Sequence, residues 1–511
     1  MAGRVILLGL DGATFGLIDP WLKQGKLPNL ARFVEEGVKG ELASVFPPTS
    51  PGAWTSIVTG KNPGKHGLFD WRLRRDDSYE LLPVSGANRR SQTLWDILSE
   101  NGLKVGIFNL PMTYPPDIVN GFMISGMDTP SEAEVFTYPP DLYQRIRDEC
   151  CDYVIDPWVE TGEGEVRDQW ISRVRSTFQS RVNTLYYLMA EFTCDFLMPI
   201  FVFPDRLQHV LWHCADSSHP AYTPALGREY GGVILEFYQM ADKFLGDLIR
   251  QLDENTTVLI ISDHGFGPVH KLVFINKFLE SLELLRINKD VSPAQIDWPH
   301  TKAYAFGYHG SIYINLRGRE PQGIVSPGQE YEDLRRQIIK ALSDLIDPET
   351  GVPIVSKIYK REEIYHGPYV TRAPDILFQP SEEGTAYRVF DGFNYIDNPD
   401  LPLIIVDPSL GTGAHRLNGI FLAWGKHIRP KQLLTGASVI DVAPTILYLL
   451  GQPIPDDMDG RVLQEIFESD LLKRPIEYTS APASAQDLTK SAYSDDEAAL
   501  ITERLRGLGY V

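Results

Sequence analysis

The chain has 511 residues, which suits one large domain with insertions or two to three small domains. Hydrophobic residues make up 43% of it and charged residues 23%, so the chain can bury a large core. The formal net charge of −20 argues against binding to nucleic acid polymers or anionic membrane surfaces. A small anionic ligand stays compatible with this charge, because a bound cation reverses the field locally.

The chain shows no signal for secretion or for a membrane span. The first apolar run, Val5 to Leu10, is shorter than the roughly 7–15 residues of a secretory signal. The run from Phe196 to Phe203 is far shorter than the ~20 residues that a membrane helix needs. The 4 cysteines form no CxxC pair, which favours a reducing compartment. We therefore expect a soluble, cytoplasmic protein that does not bind membranes.

Short apolar runs alternate with amphipathic helical stretches along the first half of the chain. The predicted strands are Val5–Leu10, Lys104–Phe108, Phe196–Phe203 and Thr257–Ile261. The predicted helices are Trp54–Val58, Thr93–Glu100 and Glu236–Leu252. This alternation is typical of an α/β fold with a mostly parallel central sheet and helices on both faces. In such sheets ligands bind beyond the carboxyl ends of the strands.

The composition of the sequence changes after residue 270 and again near residue 470. Residues 271–407 are rich in Gly, Pro and turn signals, and we interpret them as a cap inserted into one domain that spans 1–470. Its predicted elements are strands within Tyr304–Leu316, the helix Tyr331–Ile346 and a buried closing strand, Leu403–Val406. The core pattern returns with the strand Gly419–Trp424 and the helix Val439–Leu450.

Beyond the main domain the chain is polar, and we interpret residues 471–496 as a linker and 497–511 as a C-terminal helix. Ile501, Leu505 and Leu508 share one face of that helix and could dock it on the core or on a second subunit. The tail carries no candidate ligand, so we expect it to be dispensable for chemistry.

Metal-ligand side chains follow several of the predicted strands. They are Asp11, the pair Asp205 and His209, the pair Asp263 and His264, and, later in the chain, His415. Taken singly, each has an ordinary explanation as a turn, cap or surface residue. Together they supply three carboxylates and three imidazoles, a mixture that suits Zn²⁺ or Mn²⁺.

A further segment, Pro47–Gly60, contains a candidate nucleophile. Pro51 suits the first position of a helix, which makes Ser50 the expected N-cap. Ser50 could be simply a good cap. Alternatively, its hydroxyl lies where a helix N-terminus attracts an anion, and a metal ion there would convert it to an alkoxide nucleophile.

As a set, these motifs resemble the alkaline phosphatase superfamily, and more narrowly its type I phosphodiesterase/nucleotide pyrophosphatase branch. The resemblance runs from residue 5 to about 465. Val58-Thr59-Gly60 and His66-Gly67 match the family pattern and place the nucleophile on Ser50 rather than on Thr49.

The resemblance implies an alkaline-phosphatase-like catalytic domain with two divalent metal ions, Zn²⁺ or alternatively Mn²⁺. One ion would be held by Asp205, His209 and His415. The other would be held by Asp11, Asp263, His264 and the Ser50 hydroxyl. The implied activity is hydrolysis of a small phosphoester through a phosphoseryl intermediate, and a homo-oligomer is compatible with the sequence.

Two departures from the family pattern bear on the substrate. Nucleotide pyrophosphatases carry an Asn that binds a phosphate oxygen where this chain has Trp71, beside Asp70. No Arg lies near Ser50 as in sulfatases or true alkaline phosphatases, which favours a diesterase over a monoesterase. The alternatives are a phosphomonoesterase, a phosphonate hydrolase, a phosphoglycerate-mutase-like enzyme, or a regulatory metal-binding protein without turnover.

Overall fold

The computed structural model describes residues 3–131, 133–157, 165–291, 295–307, 310–382, 384–390, 402–481 and 492–507. The strands up to residue 268 are β1 (Arg4–Leu10), β2 (Val38–Ala43), β3 (Arg72–Arg74), β4 (Leu81–Pro83), β5 (Val105–Leu110), β6 (Gly121–Ser125), β7 (Thr137–Tyr138), β8 (Phe196–Phe201), β9 (Thr256–Ile261) and β10 (Gly265–Pro268). The helices are α1 (Phe15–Lys23), α2 (Pro28–Glu36), α3 (Ser50–Thr59), α4 (Pro63–His66), α5 (Leu94–Glu100), α6 (Leu142–Glu149), α7 (Glu165–Glu191), α8 (Phe203–Ala215), α9 (Pro224–Tyr230) and α10 (Val233–Ile249).

The middle of the chain contributes small strands and three helices to the described structure. The strands are β11 (Lys271–Phe274), β12 (Ile287–Asn288), β13 (Gln295–Ile296), β14 (Ala303–Ala305), β15 (Ser311–Ile314), β16 (Val355–Lys360), β17 (Ile376–Pro380), β18 (Tyr387–Phe390) and β19 (Ile404–Ile405). The helices are α11 (Ile275–Ser281), α12 (Gln329–Ser343) and α13 (Arg361–Ile364).

The last part of the chain returns to the main sheet and then leaves it. Its strands are β20 (Gly413–Arg416), β21 (Asn418–Gly425), β22 (Gln432–Ser438), β23 (Ile454–Pro455) and β24 (Tyr478–Thr479). Its helices are α14 (Val442–Leu449) and α15 (Asp495–Gly507).

A central sheet organises the molecule, and the described residues give it nine strands in the order β22-β2-β21-β9-β1-β8-β5-β6-β7. β1 pairs in parallel with β8 and β9, β5 with β6 and β8, and β2 with β22. The pairs of β21 with β2 and β9, and of β7 with β6, are antiparallel. The predicted α/β class with a mostly parallel central sheet is confirmed.

Both faces are buried along the middle strands of this sheet, β1, β5, β8 and β9, which explains why these strands are continuously apolar. Along β1, Ile6 and Leu8 belong to one hydrophobic core, which also contains residues of α8 and α10. Val5 and Leu7 point to the opposite core, which contains residues of α3 and α14. Because successive side chains alternate between faces, a strand covered on both sides must be apolar throughout.

The middle of the chain has a core of its own, built around β14, β15, β17 and α12. The predicted closing strand was wrong in one respect. Leu403–Val406 is not a buried run: only Ile404–Ile405 forms a strand, its residues are half-buried, and Val406 is exposed. Among the described residues, β19 lies at the edge of the small sheet β18-β11-β19.

Part of the tail packs on the rest of the molecule. β24, within the predicted linker, pairs in parallel with β23. Ile501 and Leu505 of α15 are buried, as the predicted apolar face requires, whereas Leu508 lies outside the described residues. None of the helices among the described residues combines the length and apolar character needed to cross a bilayer.

Candidate metal and phosphoryl-transfer site

The predicted ligands lie at the carboxyl ends of three adjacent strands of the central sheet. Asp11 follows β1, Asp205 lies in the first turn of α8 just after β8, and Asp263 and His264 follow β9. All four side chains are buried. Parallel strands end at one edge of a sheet, so residues far apart in sequence meet there.

The first group of ligands combines α8 with β20. Because α8 begins at Phe203, Asp205 and His209 lie one turn apart on it, and His209 Nε2 is 3.3 Å from Asp205 Oδ1. His415 enters from β20, and its Nε2 lies 3.0 Å from Asp205 Oδ1 and 3.0 Å from His209 Nε2. These three atoms form a compact set that one cation could share.

The second group surrounds the end of β1. His264 Nε2 lies 3.6 Å from Asp11 Oδ1 and 3.4 Å from Asp263 Oδ2. It also lies 3.9 Å from Asp205 Oδ1, so His264 stands between the two groups. Ligand atoms within 4.8 Å of one another define the sets Asp11–Asp263–His264 and Asp205–His264–His415.

Ser50 faces this cluster from the start of α3. Its Oγ lies 3.4 Å from His264 Nε2. Thr49 turns away, and its hydroxyl donates a hydrogen bond to the Phe69 carbonyl at 3.2 Å. The structure thus brings all seven predicted side chains into one buried cluster: Asp11, Ser50, Asp205, His209, Asp263, His264 and His415.

The predicted N-cap was wrong by one residue. Thr49 has an extended backbone, and its carbonyl accepts the first helical hydrogen bond, from Ala53 N at 2.8 Å. Ser50 is therefore the first helical residue and Pro51 the second, a position at which Pro is still tolerated. Ser50 nevertheless remains at the positive end of the helix dipole.

The three candidate histidine ligands are held in the same tautomer. His209 Nδ1 donates to the Gly413 carbonyl at 2.9 Å, His264 Nδ1 to the Gly265 carbonyl at 2.9 Å, and His415 Nδ1 to the Pro48 carbonyl at 2.7 Å. Each Nε2 is therefore left with a lone pair directed into the cluster. Metal-ligating histidines are commonly oriented in this way by a backbone acceptor.

The buried carboxylates of the cluster favour the binding of a cation. Burial, followed by the neighbouring carboxylates, raises the pKa of Asp11 well above its ordinary value and that of Asp263 to about 8. The imidazoles of His209 and His415 lie beside Asp205. Burial lowers the pKa values of these two histidines, so both imidazoles are neutral and able to ligate.

The residues present fit the binding of divalent metal. Among the described residues, Asp11 Oδ1 and Asp263 Oδ2 are buried without a hydrogen-bond partner. Buried carboxylate oxygens of this kind are costly unless a cation or a donor satisfies them. Neutral imidazoles and carboxylates are also the donors that Zn²⁺ and Mn²⁺ accept.

Other residues support the cluster, and the sequence motifs did not identify them. Trp54 Nε1 donates to Asp11 Oδ2 at 2.9 Å, one helical turn after Ser50. Gln208 Nε2 donates to the Gly12 carbonyl at 2.8 Å. The spacing of Trp54 from Ser50 was the available signal, since residues four apart share a helix face.

Two further residues of the family resemblance, His66 and Trp71, are also buried. His66 is fully buried, and its Nε2 lies 2.9 Å from Ser56 Oγ on α3. Trp71, at the position of the family's phosphate-binding Asn, is buried in an apolar cluster with Ile501 and Leu505 of α15.

Comparison with known proteins supports this description of the fold. Phosphonoacetate hydrolase from Sinorhizobium meliloti 1021, solved with phosphonoformate, is 17% identical with a TM-score of 0.54, over 88% of this chain and 96% of that chain. An inactive form of murine ectonucleotide pyrophosphatase / phosphodiesterase 5 in complex with AMP is 15% identical with a TM-score of 0.51, over 91% and 100%. At such identities these likenesses establish the alkaline-phosphatase-like fold.

Sequence comparison also identifies the family of the chain. A 2,3-bisphosphoglycerate-independent phosphoglycerate mutase from Laribacter hongkongensis (strain HLHK9) is 44% identical over 52 residues, a match that spans only 10% of either chain. Residues 5–389, three quarters of the chain, match the type I phosphodiesterase / nucleotide pyrophosphatase family. The chain therefore belongs to this family of metal-dependent hydrolases that act on phosphoric esters.

Proposed function

We propose that the protein is a two-metal phosphodiesterase, similar to nucleotide pyrophosphatases, that acts through a phosphoseryl intermediate on Ser50. The observation that carries this proposal is the position of Ser50. Its hydroxyl lies at a helix N-terminus and 3.4 Å from His264, beside buried carboxylate oxygens that lack donors. A metal-assisted nucleophile needs this combination of groups.

We assign the ligands as the family resemblance implies. Asp205, His209 and His415 would hold one ion, and their atoms lie 3.0–3.3 Å apart. The other would be held by the residues around β1: Asp11, Asp263, His264 and Ser50. When bound, two such ions supply Lewis acidity that lowers the pKa of a hydroxyl and neutralises charge on phosphoryl oxygens. We expect Zn²⁺, with Mn²⁺ as the alternative.

The reaction then follows from the position of Ser50. Its Oγ loses a proton to water and attacks phosphorus, which forms the Oγ–P bond as the bond to the leaving alcohol breaks. Water next hydrolyses the seryl ester, releases a phosphomonoester and restores the hydroxyl. The positive end of the α3 helix dipole favours the negative charge of the phosphoryl group throughout.

We further propose that the enzyme works in the cytoplasm on small phosphoesters. Its four cysteines are free thiols, which supports a reducing compartment. The net charge of −20 disfavours polymeric nucleic acid as a substrate.

An assay with three esters tests the proposed function. Purified protein with added Zn²⁺ or Mn²⁺ is given bis-p-nitrophenyl phosphate, p-nitrophenyl phosphate and an alkyl phosphonate ester, with Ser50→Ala as the control. We expect the diester to be the best substrate. A preference for the monoester or the phosphonate would assign a different phosphoryl-transfer reaction, and no turnover of any ester would favour a regulatory metal-binding protein.

A further inference from the structure

The C-terminal helix α15 packs on loops at the edge of the central sheet. Tyr493, just before the helix, and Ile501 and Leu505 within it are buried. They share an apolar cluster with residues of the loops that follow β5 and β6, Met112 and Met127. These loops leave the sheet at the same edge as the candidate ligands.

Polar contacts fix α15 to three consecutive carbonyl groups of the loop after β6. Arg504 is buried, and its Nη1 donates to the carbonyls of Met127 and Thr129, both at 2.8 Å. Tyr493 Oη donates to the carbonyl of Asp128, between them, at 2.7 Å. The tail thus binds the backbone of this loop in three places.

The same loop contacts a buried arginine next to a candidate ligand. Arg206 Nη2 lies 3.0 Å from Met127 Sδ and 3.1 Å from Asp156 Oδ2. Arg206 Nη1 lies 3.9 Å from Asp205 Oδ2, on the carboxylate assigned to the first ion. A continuous series of contacts therefore runs from Arg504 through Met127 and Arg206 to Asp205.

We propose that α15 supports the metal centre from behind, and that Arg504 is a positioning residue that orients Asp205 through Met127 and Arg206. Groups behind a metal ligand orient it, so a shift of Arg206 should also shift the Asp205 carboxylate. Without Arg504, the 127–129 loop loses two of its hydrogen bonds. Met127 can then move away from the Arg206 guanidinium. This inference rests on the proposed function, and it replaces the expectation that the tail is dispensable for chemistry.

Zinc affinity of the full-length chain tests the proposal. Arg504→Met keeps the length of the side chain but removes both hydrogen bonds, and Arg506→Met is the matched control because Arg506 is exposed on the same helix. The Zn²⁺ dissociation constant is measured by competition with a chromogenic chelator. We expect it to rise about tenfold in Arg504→Met, the scale seen when groups behind metal ligands are lost, and to stay unchanged in Arg506→Met.

Two further variants separate positioning from general stability. Arg504→Lys keeps a donor and should recover part of the zinc affinity. Tyr493→Phe removes the bond to the Asp128 carbonyl and a longer one, of 3.4 Å, to the Val84 carbonyl, so it gives a second measurement if Arg504→Met does not fold. Wild-type zinc affinity in folded Arg504→Met, or in Tyr493→Phe where the first variant does not fold, would overturn the proposal.

Failure of this proposal can be distinguished from failure of the proposed function. If the wild type binds zinc but hydrolyses no phosphoester, the proposed function fails, while the zinc measurements still decide the role of Arg504. If the wild type binds no zinc or manganese, both proposals are overturned.

Discussion

At the scale of single residues, hydrogen bonds to the backbone decide which atoms can react. Three imidazoles donate from Nδ1 to carbonyl groups, which leaves each Nε2 as an acceptor inside the cluster. Thr49 and Ser50 are adjacent, yet only the Ser50 hydroxyl faces that cluster. The difference arises because Thr49 has an extended backbone whereas Ser50 begins α3, so the two side chains leave the chain in different directions.

Substitution of Ser50 and Thr49 tests which of the two hydroxyl groups is the nucleophile. Ser50→Ala should lower kcat roughly 1,000-fold or more, because the covalent route loses its nucleophile. Thr49→Ala removes only a bond to the Phe69 carbonyl, so kcat should change by less than about tenfold. Steady-state kinetics with bis-p-nitrophenyl phosphate measure both. Loss of activity in Thr49→Ala but not in Ser50→Ala would move the nucleophile by one position.

Buried His66 makes the stability of the protein depend on pH. Burial, followed by the charges of Lys61 and Arg89, lowers its pKa to about 3, from 6.5. The unfolded chain therefore takes up a proton at this residue as the pH falls below 6.5, whereas the folded chain does not. His66 thus stabilises the fold fully above pH 6.5, and this contribution is lost between pH 6.5 and 3.

His66→Gln should reduce that dependence on pH. The slope of the free energy of unfolding between pH 6 and 4 should fall by about 1.4 kcal/mol per pH unit, the value for one proton. Urea unfolding at several pH values measures the slope. The same substitution at exposed His300 is the control. An unchanged slope in His66→Gln would show that the His66 pKa is not depressed.

At the scale of secondary structure, paired elements assemble the site from distant segments. α8 carries Asp205 and His209 on one face, and the antiparallel pair of β10 with β20 sets Phe266 opposite His415. β10 starts directly after His264, so this pair also fixes the distance between two candidate ligands. The rings of His264 and His415 stack with centroids 3.6 Å apart.

Gly265, at the start of β10, allows a close approach of β10 to the start of β21, the strand that follows β20. A Cβ added there would lie 2.0 Å from the Asn418 carbonyl oxygen, a backbone atom that cannot move aside easily. Gly265→Ala should therefore displace β10, weaken zinc binding and lower the free energy of unfolding by about 1–3 kcal/mol.

Gly232→Ala provides the control for this substitution. Gly232 is exposed and has nothing within 4 Å of its added Cβ. Zinc competition and urea unfolding measure both variants. Wild-type zinc affinity in Gly265→Ala would show that the spacing of these strands does not matter to the site.

At the scale of the whole molecule, the sequence predicted what depends on local pattern. The apolar runs Val5–Leu10 and Thr257–Ile261 predicted the sheet and the edge at which the ligands lie. They are recognisable because a strand buried on both faces is apolar at every position. Contacts between segments that are distant in the chain leave no pattern in the local sequence. Neither the bond of Trp54 to Asp11 nor that of Arg504 to the loop after β6 follows from periodicity.

Metal content tests the assembly of the complete chain. We expect two zinc ions per wild-type chain by elemental analysis. His209→Ala and Asp263→Asn should each lose about one ion, since each removes a ligand from a different group. Chelation of both ions should lower the midpoint of thermal unfolding, because ligands that bind only the folded state stabilise it. An active wild type without metal would contradict this account.

The most direct test of the central claim is the site of covalent attachment. Wild-type enzyme is mixed with bis-p-nitrophenyl phosphate, quenched in acid and digested, and the peptides are sequenced by mass spectrometry. We predict a p-nitrophenyl phosphoryl group on Ser50, formed as one p-nitrophenol is released. An adduct on any other residue, or undiminished turnover by Ser50→Ala, would contradict the account.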